Sequence, residues 1–462
     1  MKNRLVDLLA YCSIALYTLA AILVSVHRFF QYEVFYYDFG IFDQAIWNVA
    51  HLRPPIVDHY VIGGKLIFAD HFSPSMFLLT PIYWLTSRPE ALLVAQALAV
   101  GLSGLVLYLI GKHVLKNRLL PLAITCSYLL FVGTQNAIIA DVHEVTFMSL
   151  PLMLTFYGLV TKNKTLFWVS FFITLGFKES SALLGVGLAI LIYFIDKRWL
   201  RTAIVVGVIS VVWGILTTQI VIPYFYGQRY FYTPTLDYHP SALIGSFVND
   251  PVKRETLWVS FLSFGFLPLL YPPAWPLIVQ DIATRFMQKE FTLRWTLGLH
   301  YNIQMAAILS FSSIMGCLRL MKKKWHRFFV PGIATALIVL SLVLHRFILR
   351  SPLGLAYNPT FYRDSRHFGF LNDLIARVPS GTTVMTQNNL APHMIHTHKV
   401  YLLRAVYTDF MPDYFVLDLR EGQNINDFFG VDIHVLVATL RKDTRYLPVY
   451  ETKEQVIFRR KS

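Results

Sequence analysis

The chain has little charge for its length and few acidic residues. Asp, Glu, Lys and Arg make up 15% of its 462 residues, well below the roughly 25% that is usual in soluble domains. This composition excludes an ordinary soluble globular protein. The net charge of +14 would indicate nucleic-acid binding in a soluble chain. Here Lys and Arg fall mainly in short loops between apolar runs, so membrane topology explains them and no nucleic-acid partner is expected.

Cysteine and internal repetition are also scarce. The three cysteines, Cys12, Cys126 and Cys317, all lie within apolar runs, which excludes a disulfide framework. No internal repeat or low-complexity segment is visible.

Apolar residues are abundant instead. They form 55% of the chain, with a mean hydropathy of +0.50, and recur in runs of the length that crosses a bilayer, near ~20 residues. The chain is therefore predicted to be mainly α-helical and polytopic. Its first run, from Leu5 to Val26, is too long for a cleaved signal and is predicted to be a signal anchor.

Basic clusters predict the topology. Placing all of them inside gives about eleven transmembrane helices, an inside N-terminus and an outside C-terminus. The clusters are Lys2/Arg4, Lys112/Lys116/Arg118, Lys162/Lys164, Lys197/Arg198/Arg201 and Lys322/Lys323/Lys324/Arg327. The run 166–177 and the run that follows Pro276 are too short for full crossings, and half-length helices are tolerated where they line a protein cavity.

Residues 28–88 form a long outer loop in this topology. Phe39, Phe42, Ile46 and Val49 follow helical spacing, and a second amphipathic helix is predicted to start at Ser73-Pro74. Aromatic helices of this kind lie in the membrane interface.

Residues 351–462 have the polar composition of a soluble domain and are predicted to form a small α/β domain outside the membrane, after a transmembrane domain at 1–350. Strands are predicted at 382–386, 399–403, 414–419 and 434–440, a hairpin at 448–459 and a helix at 361–378.

Polar residues gather at the predicted outer ends of the spans. They are Asp38, Asp43, Asp70, His71, Asp141, His143, Glu144, Lys178, Glu179, His300 and Tyr301. Ionisable groups beside a bilayer usually mark function, so we expect one polar pocket on the outer face.

Each of these residues also has a structural interpretation. Asp38 could cap the helix that follows it, and Asp43 could be a solvated carboxylate. Asp70-His71 could prepare the Ser73 cap, Lys178 and Glu179 could neutralise each other, and His300 could be a hydrogen-bonded core histidine. Asp141, His143 and Glu144 could instead bind a divalent cation, Mg²⁺ or Mn²⁺.

Several motifs resemble those of an uncharacterised family of prokaryotic membrane proteins, known as domain of unknown function 2079 and grouped with the GT-C superfamily of membrane glycosyltransferases. They are Tyr37-Asp38-Phe39-Gly40-Ile41-Phe42-Asp43-Gln44, His71-Phe72-Ser73-Pro74, Asp141-Val142-His143-Glu144, Lys178-Glu179-Ser180, His300-Tyr301, Asn388-Asn389-Leu390-Ala391-Pro392-His393 and Asp413-Tyr414-Phe415-Val416-Leu417-Asp418.

The resemblance implies a GT-C-like enzyme in a prokaryotic plasma membrane. Such enzymes transfer a sugar from a polyprenyl-phosphate carrier to an acceptor on the outer face, here an unknown glycan, lipid or protein, and a groove between spans holds the lipid tail. Asp38 matches the acid that opens the family's first outer loop. His71 stands where other members carry a lysine, so a phosphate contact there depends on histidine protonation.

These residues are assigned roles by their chemistry. Asp38 is expected to be the general base, with Asp43 supporting it. His71, His143, Lys178, His300 and Tyr301 are expected to bind substrate or phosphate. Asp141, Glu144 and Glu179 are expected to orient groups or bind metal.

Two other function classes fit part of the pattern. A transporter or flippase of lipid-linked glycans would also have broken helices and buried charges, but usually at the bilayer midplane and in repeated halves. A non-catalytic scaffold with an outer binding domain is the third. His393, His396 and His398 could bind metal there, although ordinary surface histidines are the expected interpretation.

Overall fold

A computed structural model describes residues 2–58, 64–233, 239–288, 290–321, 326–364, 368–420 and 430–461. The helices are α1 (Lys2–Phe30), α2 (Ile41–Ala50), α3 (Ile82–Leu85), α4 (Ala91–Leu115), α5 (Leu119–Leu130), α6 (Val132–Ile139), α7 (Glu144–Thr161), α8 (Lys164–Leu175), α9 (Ser181–Ile195), α10 (Leu200–Ile215), α11 (Ile222–Tyr226), α12 (Pro240–Gly245), α13 (Pro251–Ser263), α14 (Trp275–Phe286), α15 (Asn302–Met321), α16 (His326–Val343), α17 (Pro359–Asp364), α18 (Gly369–Ala376) and α19 (Ile433–Lys442). The strands are β1 (Ile56–Val57), β2 (Lys65–Leu66), β3 (Thr383–Thr386), β4 (Lys399–Leu402), β5 (Tyr414–Asp418), β6 (Tyr446–Glu451) and β7 (Gln455–Arg460).

Six helices of the described chain are long and apolar enough to cross a membrane. They are Asn3–Phe30, Ala91–Leu115, Glu144–Thr161, Lys197–Tyr226, Asn302–Met321 and Val330–Ile348. The pair α5 and α6, bent by 47°, is a seventh candidate. The two shorter apolar helices α8 and α9 have 12 and 15 residues, as the sequence predicts for α8. The total of about eleven crossings stays a prediction, and Lys322, Lys323 and Lys324 lie outside the described residues.

The chain divides into two compact units. Unit 1 comprises Met1–Val24, Phe68–Met76 and Val94–Tyr357, and unit 2 comprises Ser25–Ile67, Phe77–Leu93 and Asn358–Ser462. Unit 1 is helical. In unit 2 the first loop and the C-terminal segment fold together.

A five-stranded sheet forms the centre of unit 2, in the order β4-β3-β5-β7-β6. β3 pairs in parallel with β4 and β5, while β7 runs antiparallel to β5 and β6. The predicted small C-terminal sheet domain is confirmed, including its closing hairpin. The predicted helix at 361–378 is found as α17 and α18, and residues 365–367 between them lie outside the described part.

The predicted strand at 434–440 is wrong, because the segment is helix α19. Asp432 caps this helix by accepting hydrogen bonds from the backbone N–H groups of His434 and Val435. Leu436, Val437 and Leu440 are buried against the sheet. These three residues are spaced as on one face of a helix. The prediction failed because a short apolar run that contains β-branched residues is also typical of a strand.

The first loop contains the predicted interfacial helix α2, with Phe42 and Ile46 buried. The second helix is interrupted: a 3₁₀ segment spans Pro74–Leu79 and α3 begins at Ile82. Pro81 lies between them and lacks the N–H that a continuous helix needs. Ser73 does not act as the expected side-chain cap, since its hydroxyl has no hydrogen-bond partner among the described residues.

Candidate functional site

The loop that carries Asp70 and His71 is fixed to the C-terminal end of α8. The backbone N–H of Ser75 donates to the carbonyl of Gly176 at 2.9 Å, and the Ser75 hydroxyl donates to the carbonyl of Ile173 at 2.8 Å. A Cβ at position 176 would lie 2.4 Å from the Ser75 hydroxyl. Glycine at this position therefore allows the close approach that places His71 beside the α8–α9 connection.

Two ion pairs connect three chain segments of unit 1. The Lys178 ammonium donates to Glu144, at the start of α7, and Nδ1 of His71 lies 2.9 Å from Oε1 of Glu179. The two carboxylates are 1% exposed and the two cationic side chains 13–15%. The idea that Lys178 and Glu179 neutralise each other is wrong. Adjacent residues of the short α8–α9 connection project to different partners.

The crossed pairs keep His71 protonated over a wider pH range than a free histidine. Burial lowers the pKa of His71, as does the Lys178 charge, but the Glu179 and Asp70 carboxylates outweigh both and the net pKa is raised. Burial raises the pKa of Glu179, but His71 and Lys178, with the Tyr230 hydroxyl, lower it to about 2. Burial likewise lowers the pKa of Lys178, and Glu144 and Glu179 raise it above its usual value.

Two tyrosines complete these partnerships. Tyr230 donates its hydroxyl hydrogen to Oε1 of Glu179 at 2.7 Å, and Tyr232 donates to Oδ1 of Asp70 at 2.9 Å. The Tyr232 ring also stacks on the His71 ring, with centroids 4.8 Å apart. Asp70-His71 therefore takes part in this network, which is more than preparation of the Ser73 cap.

His143 and His300 form a stacked pair, with ring centroids 3.4 Å apart. Burial lowers the pKa of His300 well below its usual value, and the nearby positive charges add to this effect. His300 is therefore neutral. Its Nδ1 has no hydrogen-bond partner within the described residues. For this nitrogen, the interpretation of His300 as a hydrogen-bonded core histidine is therefore wrong. Tyr301 lies 4.0 Å from His300 between ring centroids.

Gln96 positions the turn that precedes Glu144. Its side chain donates to the carbonyl of Asp141 at 2.7 Å and accepts from the N–H of His143 at 3.0 Å. Asp141 has a φ of +58°, a left-handed conformation in which Asp is enriched. The residue thus shapes the turn by its backbone.

Arg294 belongs to the same neighbourhood, and sequence reasoning missed it. Its guanidinium lies 4.7–5.5 Å from the ring centroids of Phe291, Tyr232 and Tyr301 and donates to Gln288. Its buried Nε has no hydrogen-bond partner, and no carboxylate pairs with it, among the described residues. The available signal was an arginine in loop 286–300, which the topology places outside, where basic residues are depleted.

We call these residues of unit 1 the polar cluster: Asp70, His71, His143, Glu144, Lys178, Glu179, Tyr230, Tyr232, Arg294 and His300. It contains three cationic side chains, and two of them have a carboxylate partner. The described residues include no group of three or more His, Cys, Asp and Glu side chains arranged to hold a metal ion. Glu144 and Glu179 are paired with cations, and metal binding by Asp141, Glu144 and Glu179 stays a prediction.

Asp38 lies in unit 2 on an unusual turn. Its φ and ψ are +98° and −80°, close to the rare and strained γ-turn. Asn388 holds the preceding backbone, because its carbonyl accepts from the N–H of Tyr36 at 2.9 Å and its side chain accepts from the N–H of Tyr37 at 2.7 Å. Asp38 does not cap α2, whose N-cap is Gly40 with no side-chain hydrogen bond. Strain of this kind is concentrated at functional sites.

Asp43 is fully buried in unit 2, and both of its carboxylate oxygens have a close polar contact. It accepts a hydrogen bond from the Tyr83 hydroxyl at Oδ1, and Nε2 of His396 lies 2.8 Å from Oδ2. The His396 ring stacks on Trp47, with centroids 3.9 Å apart. The solvated-carboxylate interpretation of Asp43 is therefore wrong.

His393 and His396 of this unit are not ordinary surface residues either. His396 is held by Asp43. His393 lies with its ring centroid 4.1 Å from that of Phe29 and 4.0 Å from that of Tyr32. Burial lowers the pKa of His393 to about 3, so it is neutral.

A family model described as "Predicted membrane protein (DUF2079)" matches residues 32–456. Two solved structures share the fold over nearly all of both chains. ArnT from Cupriavidus metallidurans bound to undecaprenyl phosphate has a TM-score of 0.56 and 12% identity, and the match covers 96% of this chain and 97% of ArnT. The same protein in the apo state has a TM-score of 0.55 and 11% identity, with coverage of 98% of this chain and 97% of ArnT. No curated protein matches. ArnT is a GT-C glycosyltransferase, so the resemblance to the GT-C fold is confirmed.

Proposed function

We propose that this chain, an integral membrane protein that belongs to the family described as predicted membrane protein (DUF2079), is a GT-C-type glycosyltransferase. Its donor would be a sugar linked to a polyprenyl phosphate. The observation that carries the proposal is the buried polar cluster, in which cations from separate segments converge in a chain with the fold of ArnT. At 12% identity the likeness supports the fold, and the residues must support the chemistry.

The polar cluster offers binding groups for a phosphate. Arg294 has a positive charge without a carboxylate partner in the described chain and three aromatic rings that limit its hydration. A guanidinium of this kind can bind phosphate oxygens in a bidentate manner. We therefore assign Arg294 as the main phosphate ligand.

His71 and Lys178 would support Arg294. Glu179 occupies Nδ1 of His71 and leaves Nε2–H of the imidazolium to donate to a phosphate oxygen. Glu144 and Glu179 fix the two cations in place, and such preorganisation removes the cost of reorienting charges during the reaction. Of the two predicted roles for Glu144 and Glu179, orienting groups or binding metal, we propose the orienting one. The stacked pair His143 and His300, with Tyr301, would bind other parts of the donor.

The reaction would exchange one bond at the anomeric carbon for another. The acceptor oxygen bonds to that carbon while the bond to the phosphate oxygen breaks, and its electron pair remains on the polyprenyl phosphate. The acceptor proton passes to a carboxylate. Asp38 is our proposal for this base, because it is an acid on a strained, tightly held turn. Asp43 has both oxygens engaged and would hold the surrounding loop.

The test is incubation of purified protein in liposomes with radiolabelled polyprenyl-phosphate sugars, followed by detection of transferred or hydrolysed sugar. We expect turnover with at least one donor, and Arg294→Ala to weaken donor binding by more than about tenfold, as loss of a charge-assisted hydrogen bond does. Glu255→Gln removes an exposed charge of unit 1 and is the matched control. Absence of turnover across a broad donor panel, together with unchanged donor binding by the Arg294 variant, would refute the proposal.

A further inference from the structure

A cavity of about 330 Å³ lies in unit 1 away from the polar cluster. Lys162, Lys164, Asp196, Arg198, Trp199 and Thr202 line it. Its volume is far larger than the roughly 30 Å³ that one water molecule occupies in the liquid. It is therefore large enough to hold a polar group of a ligand.

The cavity has an excess of positive charge. Asp196 accepts hydrogen bonds from Arg198 at 2.8 and 2.9 Å and lies 3.3 Å from the Lys162 ammonium. One carboxylate thus faces three cations. The Lys164 ammonium and the Thr202 hydroxyl make no hydrogen bond or ion pair in the described part of the chain. An anion entering the cavity would meet these two unused groups.

Four apolar helices end around this cavity. Helices α7 and α9 finish at Thr161 and Ile195, and α8 and α10 begin at Lys164 and Leu200. Of these, α7 and α10 belong to candidate membrane spans, and the ends of such helices lie at the level of lipid headgroups. Leu200, Ile204 and Val208 leave the same region along one face of α10 and are about half exposed or more. This face would accommodate acyl chains below a bound headgroup.

We propose that this cavity binds the phosphodiester headgroup of an anionic membrane phospholipid. Basic pockets between transmembrane helices bind such headgroups. Topology alone accounts for lysines and arginines at helix ends, but it does not account for an open cavity between them. The adjacent apolar face of α10 favours a lipid over free phosphate. The site is independent of the proposed glycosyl transfer.

The experiment measures lipid adducts on the purified full-length protein by native mass spectrometry. Phosphatidylglycerol is compared with phosphatidylcholine of identical acyl chains. We expect phosphatidylglycerol to be retained preferentially. The double variant Lys162→Gln/Lys164→Gln should lose more than about tenfold of this binding, because each lysine near an anionic headgroup contributes substantially to the attraction. Lys116→Gln, at the end of α4, is the matched control and should bind like the wild type.

A second variant tests the volume of the cavity without changing its charge. Thr202→Phe fills the cavity and leaves every charge in place, so it should lose phosphatidylglycerol to a similar extent. Equal retention of the two lipids, or undiminished binding by Thr202→Phe, would overturn the proposal. So would binding of inorganic phosphate that excludes the lipid, since the site would then serve free phosphate.

Discussion

A histidine can replace a lysine as a phosphate ligand only if its surroundings keep it protonated. The family resemblance predicts that His71 stands where other members carry lysine, but the sequence could not show what supports the charge. Glu179 is 108 residues away and approaches His71 only because Ser75 and Gly176 bring the two segments together. The residue types were therefore predictable, but their pairing and the contribution of Arg294 depended on long-range contacts.

This pairing predicts a pH dependence of donor binding. Glu179 and Asp70 raise the pKa of His71, so its charge persists above the ordinary value of about 6.5 and is lost as pH rises through the raised pKa. Glu179→Gln should move the loss of donor affinity to lower pH. His71→Lys should abolish the dependence in this range. Donor binding measured between pH 5 and about 9 checks both variants. Identical profiles for wild type and His71→Lys would contradict the role of His71.

The proposed base predicts a simple substitution result. Asp38→Asn keeps the size of the side chain but removes its proton-accepting charge, so transfer should fall by at least about 100-fold, the usual contribution of a general base. Expression and thermal stability should not change. Asp373→Asn, an exposed acid of unit 2, is the control. Retained transfer by the Asp38 variant would reject this assignment.

At the level of elements, predictions succeeded where short-range patterns decide the structure. Strands β3, β4 and β5 follow apolar runs, and the closing hairpin follows two runs separated by a turn. Helix α19 was missed because its run of β-branched residues resembles a strand, whereas the Asp432 cap and a buried face determine a helix. Pro81 interrupts the second interfacial segment for a reason that is visible in the sequence.

A buried imidazolium joins three elements of unit 2. Nε2 of His396 faces the Asp43 carboxylate and Nδ1 lies 2.9 Å from the carbonyl of Ser87. A carboxylate and a carbonyl are both acceptors, so each favours a hydrogen on the ring nitrogen that faces it. Burial lowers the pKa of His396, but Asp43 and the Ser87 carbonyl outweigh this effect and raise the net pKa. The stabilisation is complete below the unfolded-state pKa and is lost as pH rises through the raised value.

His396→Ala should therefore reduce the free energy of unfolding by about 3 kcal/mol or more, because it leaves a buried carboxylate without its cation. The difference from wild type should shrink as pH rises above neutrality. Thermal unfolding at several pH values measures it, with His434→Ala, on α19, as the control. A difference that is constant with pH would show that lost packing explains the effect.

At the level of the whole molecule, each unit is assembled from three separated stretches of chain. The sequence predicted a membrane domain, a long first loop and a C-terminal domain from composition. It could not reveal that the first loop and the C-terminal segment share one unit, because contacts such as Asn388 with Tyr37 have no local signature.

Asn388 is accordingly expected to position Asp38. Asn388→Ala leaves the N–H of Tyr37 without its acceptor and should lower kcat by up to about 100-fold, as small displacements of a reacting group do. The KM for the donor should not change. Asn372→Ala removes another side-chain acceptor, that of the Tyr32 hydroxyl, and should leave kcat unchanged. Equal losses in the two variants would indicate general destabilisation.

The contact between Asn388 and the turn at Asp38 also sets an order of events during biosynthesis. The first loop is synthesised about 350 residues before the segment that holds it, and domains fold as their chain emerges. The turn can reach its final conformation only after the last membrane helix has been inserted and the C-terminal segment has been released. A nascent chain stalled before residue 388 would thus have its membrane helices but an immature loop, and the activity proposed for the protein would appear only at the end of translation.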